Sequence, residues 1–204
     1  MKKFGVLAMQ GAFVEHMETL RRLGVAAVPV RLPEELKGVK GLIIPGGEST
    51  TIGKLMSEYR LVGELKKLIA RGFPVLGTCA GMVLLAKEVY ELNQHPSVEG
   101  LGAMDISVRR NAFGRQVASF ETDLNISVLG PPLFHAVFIR APWIEKIGNG
   151  VEVLASLADG TPVAAREGNV IATAFHPELT ADFRLHKYFL SLVDGNSKAS
   201  PTEM

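Results

Sequence analysis

Phe73-Pro74-Val75-Leu76-Gly77-Thr78-Cys79-Ala80-Gly81-Met82-Val83-Leu84-Leu85-Ala86-Lys87 runs from a short apolar stretch, through a glycine-bracketed cysteine, into a second apolar stretch. Phe73 to Leu76 reads as a buried strand and Met82 to Lys87 as the first turns of a helix. Gly77-Thr78-Cys79-Ala80-Gly81 has the G-x-nucleophile-x-G form of a nucleophile elbow, with sulfur in place of a hydroxyl. A strand that turns so sharply into a helix holds one side chain in a strained, exposed position. Cβ atoms on the flanking residues would collide with neighbouring backbone, so both are glycine. The sulfur is then expected at a helix N-terminus, where the dipole and free N–H groups favour thiolate over thiol. A lone cysteine is by itself more often a small buried hydrophobe. The functional reading therefore rests on what the rest of the chain brings to Cys79.

Outward from the elbow, the first half alternates strands with helices. Phe4 to Met9, Ala26 to Val30 and Gly41 to Ile44 read as strands, and Pro29 suits a position near a sheet edge. Phe13, Met17, Leu20 and Leu23 have helical spacing, and Gly24 ends that helix. Thr50 to Tyr59 and Leu61 to Ala70 read as two more helices. This alternation implies a parallel sheet covered on both faces.

The second half carries short strand-like runs: 105–109, 116–120, 125–128, 136–140, 151–156, 163–166 and 170–174. Turn signals such as Gly148-Asn149-Gly150 and Asp159-Gly160 separate them. They are expected to extend the same sheet in antiparallel fashion and to form a small side sheet. A last helix is expected from Thr180 to Val193. The expected fold class is α/β, a three-layer open sheet in a single domain over residues 1–193. The polar residues 194–204 are expected to form a disordered tail.

Composition bounds the function. The chain has 204 residues, 47% hydrophobic and 21% charged, with a net charge of +1. There is no electrostatic case for nucleic acid or an anionic membrane. One cysteine excludes an internal disulfide, which fits a reducing cytoplasm. No signal peptide and no membrane span are read. No cofactor and no metal are expected.

A cysteine nucleophile needs a base, and the base needs an orienting group. Of five histidines, His176 stands in Phe175-His176-Pro177-Glu178, just after a predicted strand. Pro177 restricts His176 to extended values. In an extended segment His176 and Glu178 share a face, so the carboxylate can hold one imidazole nitrogen while the other faces sulfur. A turn before a helix is the plainer reading of His-Pro-Glu alone. His16 is expected at the surface or an interface, His95 in a loop, and His135 and His186 in structural roles.

Pro45-Gly46-Gly47-Glu48-Ser49 lies at another strand end. Its glycines expose backbone N–H groups that suit an oxyanion or a carboxylate. A phosphate loop competes, although its lysine-bearing pattern is absent, and a plain tight turn stays open. In open α/β sheets, ligands bind outside the carboxyl ends of the parallel strands, where both this loop and Cys79 fall.

Taken together, Pro-Gly-Gly-Glu-Ser at 45–49, Gly-Thr-Cys-Ala-Gly at 77–81 and His-Pro-Glu at 176–178 resemble the class I, triad-type glutamine amidotransferases. Finer segments are similar to the glutaminase subunits of ribose-5-phosphate-dependent pyridoxal 5′-phosphate synthases. These are Gly5 to Ala12 with Glu15-His16, Gly46 to Thr51, Arg110-Asn111-Ala112-Phe113-Gly114-Arg115-Gln116, Phe138 to Pro142 and Phe175 to Thr180.

The resemblance implies a flavodoxin-like fold and hydrolysis of L-glutamine to glutamate and ammonia. It implies Cys79 as nucleophile, His176 as acid–base and Glu178 as its orienter. Gly47, Glu48 and Ser49 with Arg110, Ile139 and Arg140 would line the glutamine site, and N–H groups of Gly47 and Ala80 would hold the oxyanion. Arg109 and Arg110 point opposite ways in a strand, and Arg110 is chosen on motif match. Ammonia would pass to a separate (β/α)8-barrel synthase subunit in a large hetero-oligomer. Partner binding would activate the site by turning the Gly46-Gly47 loop. The first helix, with Gln10 and His16, is expected near the partner surface.

The alternatives are a triad glutaminase serving another synthase, a cysteine-bearing α/β sensor of oxidation, and a non-catalytic module with a vestigial site. The first should lack the 110–116 segment. The paired His176 and Glu178 argue against the second, and the intact Cys79, His176 and Glu178 against the third.

Overall fold

The structure is a computed structural model that describes residues 2–90, 100–110 and 119–195. Its elements are β1 (Lys3–Leu7), α1 (Phe13–Arg22), β2 (Ala26–Val30), β3 (Val39–Ile44), α2 (Ser49–Glu58), α3 (Leu61–Ala70), β4 (Val75–Thr78), α4 (Ala80–Leu85), β5 (Ala86–Tyr90), β6 (Met104–Arg109), β7 (Ser119–Leu124), β8 (Phe134–Ile139), β9 (Trp143–Ile147), β10 (Glu152–Ser156), β11 (Pro162–Glu167), β12 (Val170–Thr173) and α5 (Arg184–Gly195).

Among the described residues, the main sheet has seven strands in the order β10-β11-β12-β4-β3-β1-β2. Strands β12, β4, β3, β1 and β2 pair in parallel, while β10 and β11 extend the sheet antiparallel. The β2-β1-β3-β4 order is flavodoxin-like, and β2, with Pro29, sits at the edge where a missing donor is tolerated. The inner parallel strands are apolar on both faces: Leu42, Ile43, Ile44, Val75, Leu76, Ile171 and Ala172 are fully buried. Phe189 of α5 packs edge-on against Phe4 of β1 at 5.8 Å between ring centroids. Such a pair contributes about 0.5–1.5 kcal/mol beyond its buried area.

Two small sheets, rather than one, lie beside the main one: β5-β6-β9 and β7-β8. The helix expected over Met82 to Lys87 stops at Leu85, and β5 begins at Ala86. Its last carbonyls explain the stop. Leu101 N–H donates to the Leu84 carbonyl at 2.7 Å and Ala103 N–H to that of Leu85 at 2.8 Å, so both groups are satisfied without another helical turn.

Residues 125–128, expected as a strand, lead into a 3-10 turn at Ser127–Leu129, and β9 has no counterpart among the expected strands. The last helix starts at Arg184 rather than at Thr180. Pro177–Leu179 forms a separate 3-10 turn, and the Asp182 carboxylate accepts from Arg184 N–H at 3.0 Å, a local start signal. That helix runs on to Gly195, past the expected boundary at 193. Residues 196–204 of the expected tail, His95 and most of the Arg110–Gln116 segment lie outside the described residues.

The site is positioned by four neighbouring parallel strands. Gln10 follows β1, Gly46 follows β3, Cys79 follows β4 and His176 follows β12, all at carboxyl ends.

Candidate active site

Cys79 sits between β4 and α4 with φ 50° and ψ −103°, a left-handed conformation that an L residue rarely adopts. Holding it costs on the order of 1–3 kcal/mol. The surrounding backbone enforces it. Cys79 N–H donates to the Thr173 carbonyl at 2.8 Å, and the Cys79 carbonyl accepts from Met82 N–H at 3.1 Å. The flanking glycines are required by packing. A Cβ on Gly77 would stand 2.7 Å from the backbone carbon of Gly81, and one on Gly81 would run into the Ile44 carbonyl. The sulfur lies 3.9 Å from the Ile139 carbonyl and shares the lining of one cleft with His176.

His176 is anchored by its N–H, which donates to the Val137 carbonyl at 2.9 Å. Its ring Nδ1 is 2.7 Å from Glu178 Oε1. The pair forms, but not through an extended segment. His176 has φ −105° and ψ 87°, and the 3-10 turn at Pro177–Leu179 brings the carboxylate back beneath the ring. Burial pulls the imidazole toward neutrality, yet its interactions with Cys79 and Glu178 outweigh that and push its pKa up to about 10. Burial likewise opposes ionisation of Glu178, but His16 and His176 beside it hold its pKa below the usual carboxylate range.

These groups open onto a cleft of about 350 Å3. Cys79, Ala80 and His176 form one wall; Gly47, Glu48 and Ser49 a second; Arg110, Ile139 and Arg140 a third. Glu178 does not reach the cleft and stands behind His176, 7% exposed. Arg110 lines the cleft, whereas Arg109 turns away to pair with Glu145. Arg140 also carries a positive φ, 44°, at the end of β8.

The Glu48 carboxylate is committed to structure. It caps α2 by accepting from Thr50 N–H at 3.0 Å and Thr51 N–H at 2.7 Å, and it pairs with Arg110 at 3.1 Å. Arg110 also donates to Thr50 Oγ1 at 3.1 Å. Burial acts against the Glu48 charge, but the hydrogen bonds from Thr51 and Thr50 pull its pKa down to about 2.

Sequence reasoning passed over three features. Gly46 lies against His176: a Cβ there would be 3.0 Å from the imidazole Nδ1 and 3.3 Å from Cys79 Cβ, so only glycine leaves the ring in place. Gln10 Oε1 accepts from Glu48 N–H at 2.7 Å and so ties the β1 end to the glycine loop. Beside it, Gly11 has φ +96° and lies against the Gly46 carbonyl, which accepts from Ala12 N–H at 3.0 Å. His16, expected at the surface, is fully buried; it falls on the inward face of α1 with Met17 and Leu20, a placement legible in the helical spacing. His135, expected in a structural role, lies between Asp123 and Glu121, each at 2.9 Å, on the exposed face of the β7-β8 sheet.

Whole-chain comparisons give the family. The model of the SNO glutamine amidotransferase family matches residues 6–194. The chain is 61% identical over 191 residues to the pyridoxal 5′-phosphate synthase subunit PdxT of Herpetosiphon aurantiacus, with 92% of this chain and 98% of that protein covered. It is 56% identical over 191 residues to the subunit of the same name from Moorella thermoacetica, with 94% and 99% covered. A crystal structure described as a glutamine amidotransferase superposes with a TM-score of 0.88 at 54% identity, covering 94% of this chain and 98% of that one. The elbow, the paired imidazole and carboxylate, and the family match over nearly the whole length lead to one assignment: the chain belongs to the SNO glutamine amidotransferase family.

Proposed function

We propose that this chain is the glutaminase subunit of a pyridoxal 5′-phosphate synthase. It hydrolyses L-glutamine to L-glutamate and ammonia through a thioester on Cys79, and it delivers the ammonia to a separate (β/α)8-barrel synthase subunit for vitamin B6 synthesis. The observation that carries this reading is the meeting, in one cleft, of a strained, glycine-bracketed cysteine and a histidine whose Nδ1 is held by Glu178. The described residues through Gly195, the end of α5, act as one glutamine amidotransferase domain.

The chemistry follows from the groups. His176, in the same cleft as the sulfur, serves as the acid–base that a cysteine nucleophile needs. The sulfur attacks the side-chain amide carbon and generates a tetrahedral oxyanion. The N–H groups of Ala80 and Gly47 receive that charge; losing one such donor typically costs about a hundredfold or more in rate. His176 protonates the departing ammonia, and the thioester is left on Cys79. Water, deprotonated by the then neutral His176, releases glutamate. Glu178 keeps the imidazole oriented throughout. Gly47, Glu48 and Ser49 with Arg110, Ile139 and Arg140 bind glutamine, and an arginine at the cleft wall pairs with its α-carboxylate. Because the Glu48 side chain caps α2, its part in binding is to hold Arg110.

Catalysis needs no metal and no cofactor. The subunit works in the cytoplasm, in a hetero-oligomer with the barrel subunit. Among the described residues no helix is long and apolar enough to cross a membrane. Partner binding activates the site by releasing the Gly46 carbonyl from Ala12 N–H, which frees the Gly46-Gly47 peptide to turn.

The test is ammonia release from glutamine by the full chain, alone and with a pyridoxal 5′-phosphate synthase barrel subunit, beside Cys79→Ala. Cys79-dependent release that rises with the barrel subunit is expected. Absence of release from the folded pair of subunits would overturn the reading.

A further inference from the structure

Behind the cleft lies a buried polar cluster that the reaction as described does not use. His16 of α1 and His186 of α5 are both fully buried. His16 Nδ1 is 3.0 Å from His186 Nε2. His16 Nε2 is 3.2 Å from Thr78 Oγ1 and 3.3 Å from Glu178 Oε2. Glu178 Oε1 is already taken by His176, and Oε2 is buried with no hydrogen bond of good geometry. His16 is therefore the ring that faces the free oxygen of the carboxylate orienting His176.

We infer that His16 is a positioning residue for the triad: its Nε2–H, bonded to Thr78 Oγ1 and turned toward Glu178 Oε2, holds the carboxylate beneath His176. The inference rests on the assignment of Cys79, His176 and Glu178 as the triad.

The direction of the protons follows from the contacts. A carboxylate only accepts, so the nitrogen facing it must carry hydrogen for the contact to be attractive. His16 Nδ1 is then an acceptor, and His186 Nε2 must be the donor to it. This leaves His186 Nδ1 as a bare acceptor, and that atom is buried without a partner. The opposite arrangement would face the Glu178 oxygen with the His16 Nε2 lone pair and strand an N–H on His186 instead. In the first arrangement His186 Nε2–H supports His16 from the far side, while the carboxylate sets which His16 nitrogen carries hydrogen.

The groups that face His16 are His186 from α5, Thr78 at the end of β4, Glu178 and His176 from the 3-10 turn, and Glu15 on its own helix. Burial lowers the His16 pKa, with the Glu178 carboxylate opposing, and burial next to His16 drives that of His186 down to about 3. Both rings stay neutral near pH 7. A neutral donor steadies the carboxylate without passing it a proton or competing with the His176 imidazolium for its charge.

The experiment compares the full-length His16→Leu, His16→Gln and His16→Asn variants with the parent chain and Cys79→Ala. Glutamine kcat and KM are measured with the barrel subunit present, and the His176 Cε1–H resonance is titrated by NMR. Gln places an amide N–H where Nε2 stands; Asn places one where Nδ1 stands, toward His186. Expected are a kcat loss of about tenfold or more in His16→Leu, a part of what a positioned acid–base supplies. KM should change little, the His176 titration should move downward, and His16→Gln should recover both readouts. If His16→Leu does not fold, the comparison passes to Gln against Asn, with Asn expected to be the impaired one. Parental kcat and an unmoved His176 titration in folded His16→Leu would overturn the inference. So would equal impairment of Gln and Asn, which would mark His16 as a packing residue. Lack of Cys79-dependent release by the parent would instead overturn the triad assignment itself.

Discussion

Gly46 lies directly against the ring of His176: a Cβ on residue 46 would stand 3.0 Å from Nδ1, the nitrogen that Glu178 holds. The glycine loop and the acid–base therefore share one space. Gly46→Ala must displace either the ring or the loop. A misplacement of about 1 Å can cost about a hundredfold in rate. Glutamine turnover is expected to fall by about that factor while circular dichroism stays that of the parent. Retained turnover would show that the ring has room to move.

The elbow glycines act on folding rather than chemistry. In Gly81→Ala the new Cβ meets the Ile44 carbonyl, a backbone atom inside the main sheet that cannot step aside. The variant is expected to be insoluble or to melt far below the parent. Gly63, in α3, is the contrast: nothing lies within 4 Å of its Cβ position. Gly63→Ala is expected to stabilise by about 0.5–1 kcal/mol, as glycine in a helix interior destabilises by that much. Denaturant midpoints of the two variants check both.

Glu48 links helix capping to the cleft. Its folded pKa is about 2 against an ordinary 4.5, so its contribution is present above pH 4.5 and is lost as pH falls through 2. Glu48→Gln should be less stable than the parent near neutrality and should match it at the acid limit. With the ion pair to Glu48 removed, Arg110 should also lose part of its setting, so KM for glutamine should rise more than kcat falls. Acid unfolding curves and steady-state kinetics test the two halves.

His176 shifts the opposite way. Its folded pKa, about 10, lies above the ordinary 6.5 despite the opposing effect of burial. Its contribution to stability is complete below pH 6.5 and disappears as pH rises through 10. The melting-temperature gap between the parent and His176→Gln should therefore narrow over that interval. In Cys79→Ala one of the two partners that raise the pKa is gone, and the His176 resonance should titrate lower than in the parent.

Much of this architecture was legible in residue patterns. The β-α alternation of the first half, the edge position of the strand with Pro29, and the elbow all follow from local spacing and glycine placement. What escaped depends on contacts distant in sequence. The helix after Cys79 ends at Leu85 because Leu101 and Ala103 claim its last carbonyls, which no pattern in 82–87 announces. Trp143-Ile144-Glu145-Lys146-Ile147 lacks a clean alternation and becomes a strand by pairing with β6. His176 and Glu178 meet as expected, but through a 3-10 turn. The inward placement of His16 follows the helical spacing of Met17 and Leu20, but the groups it meets there, His186 of α5 and Glu178 of the 3-10 turn, are distant in sequence.

The central claim is a covalent intermediate on Cys79. The most direct measurement is mass spectrometry of the full chain, acid-quenched during glutamine turnover with the barrel subunit present. A γ-glutamyl adduct is expected on the peptide containing Cys79, the only cysteine of the chain, and none is expected in Cys79→Ala. Ammonia release that persists undiminished in Cys79→Ala, with no adduct on the parent, would contradict it.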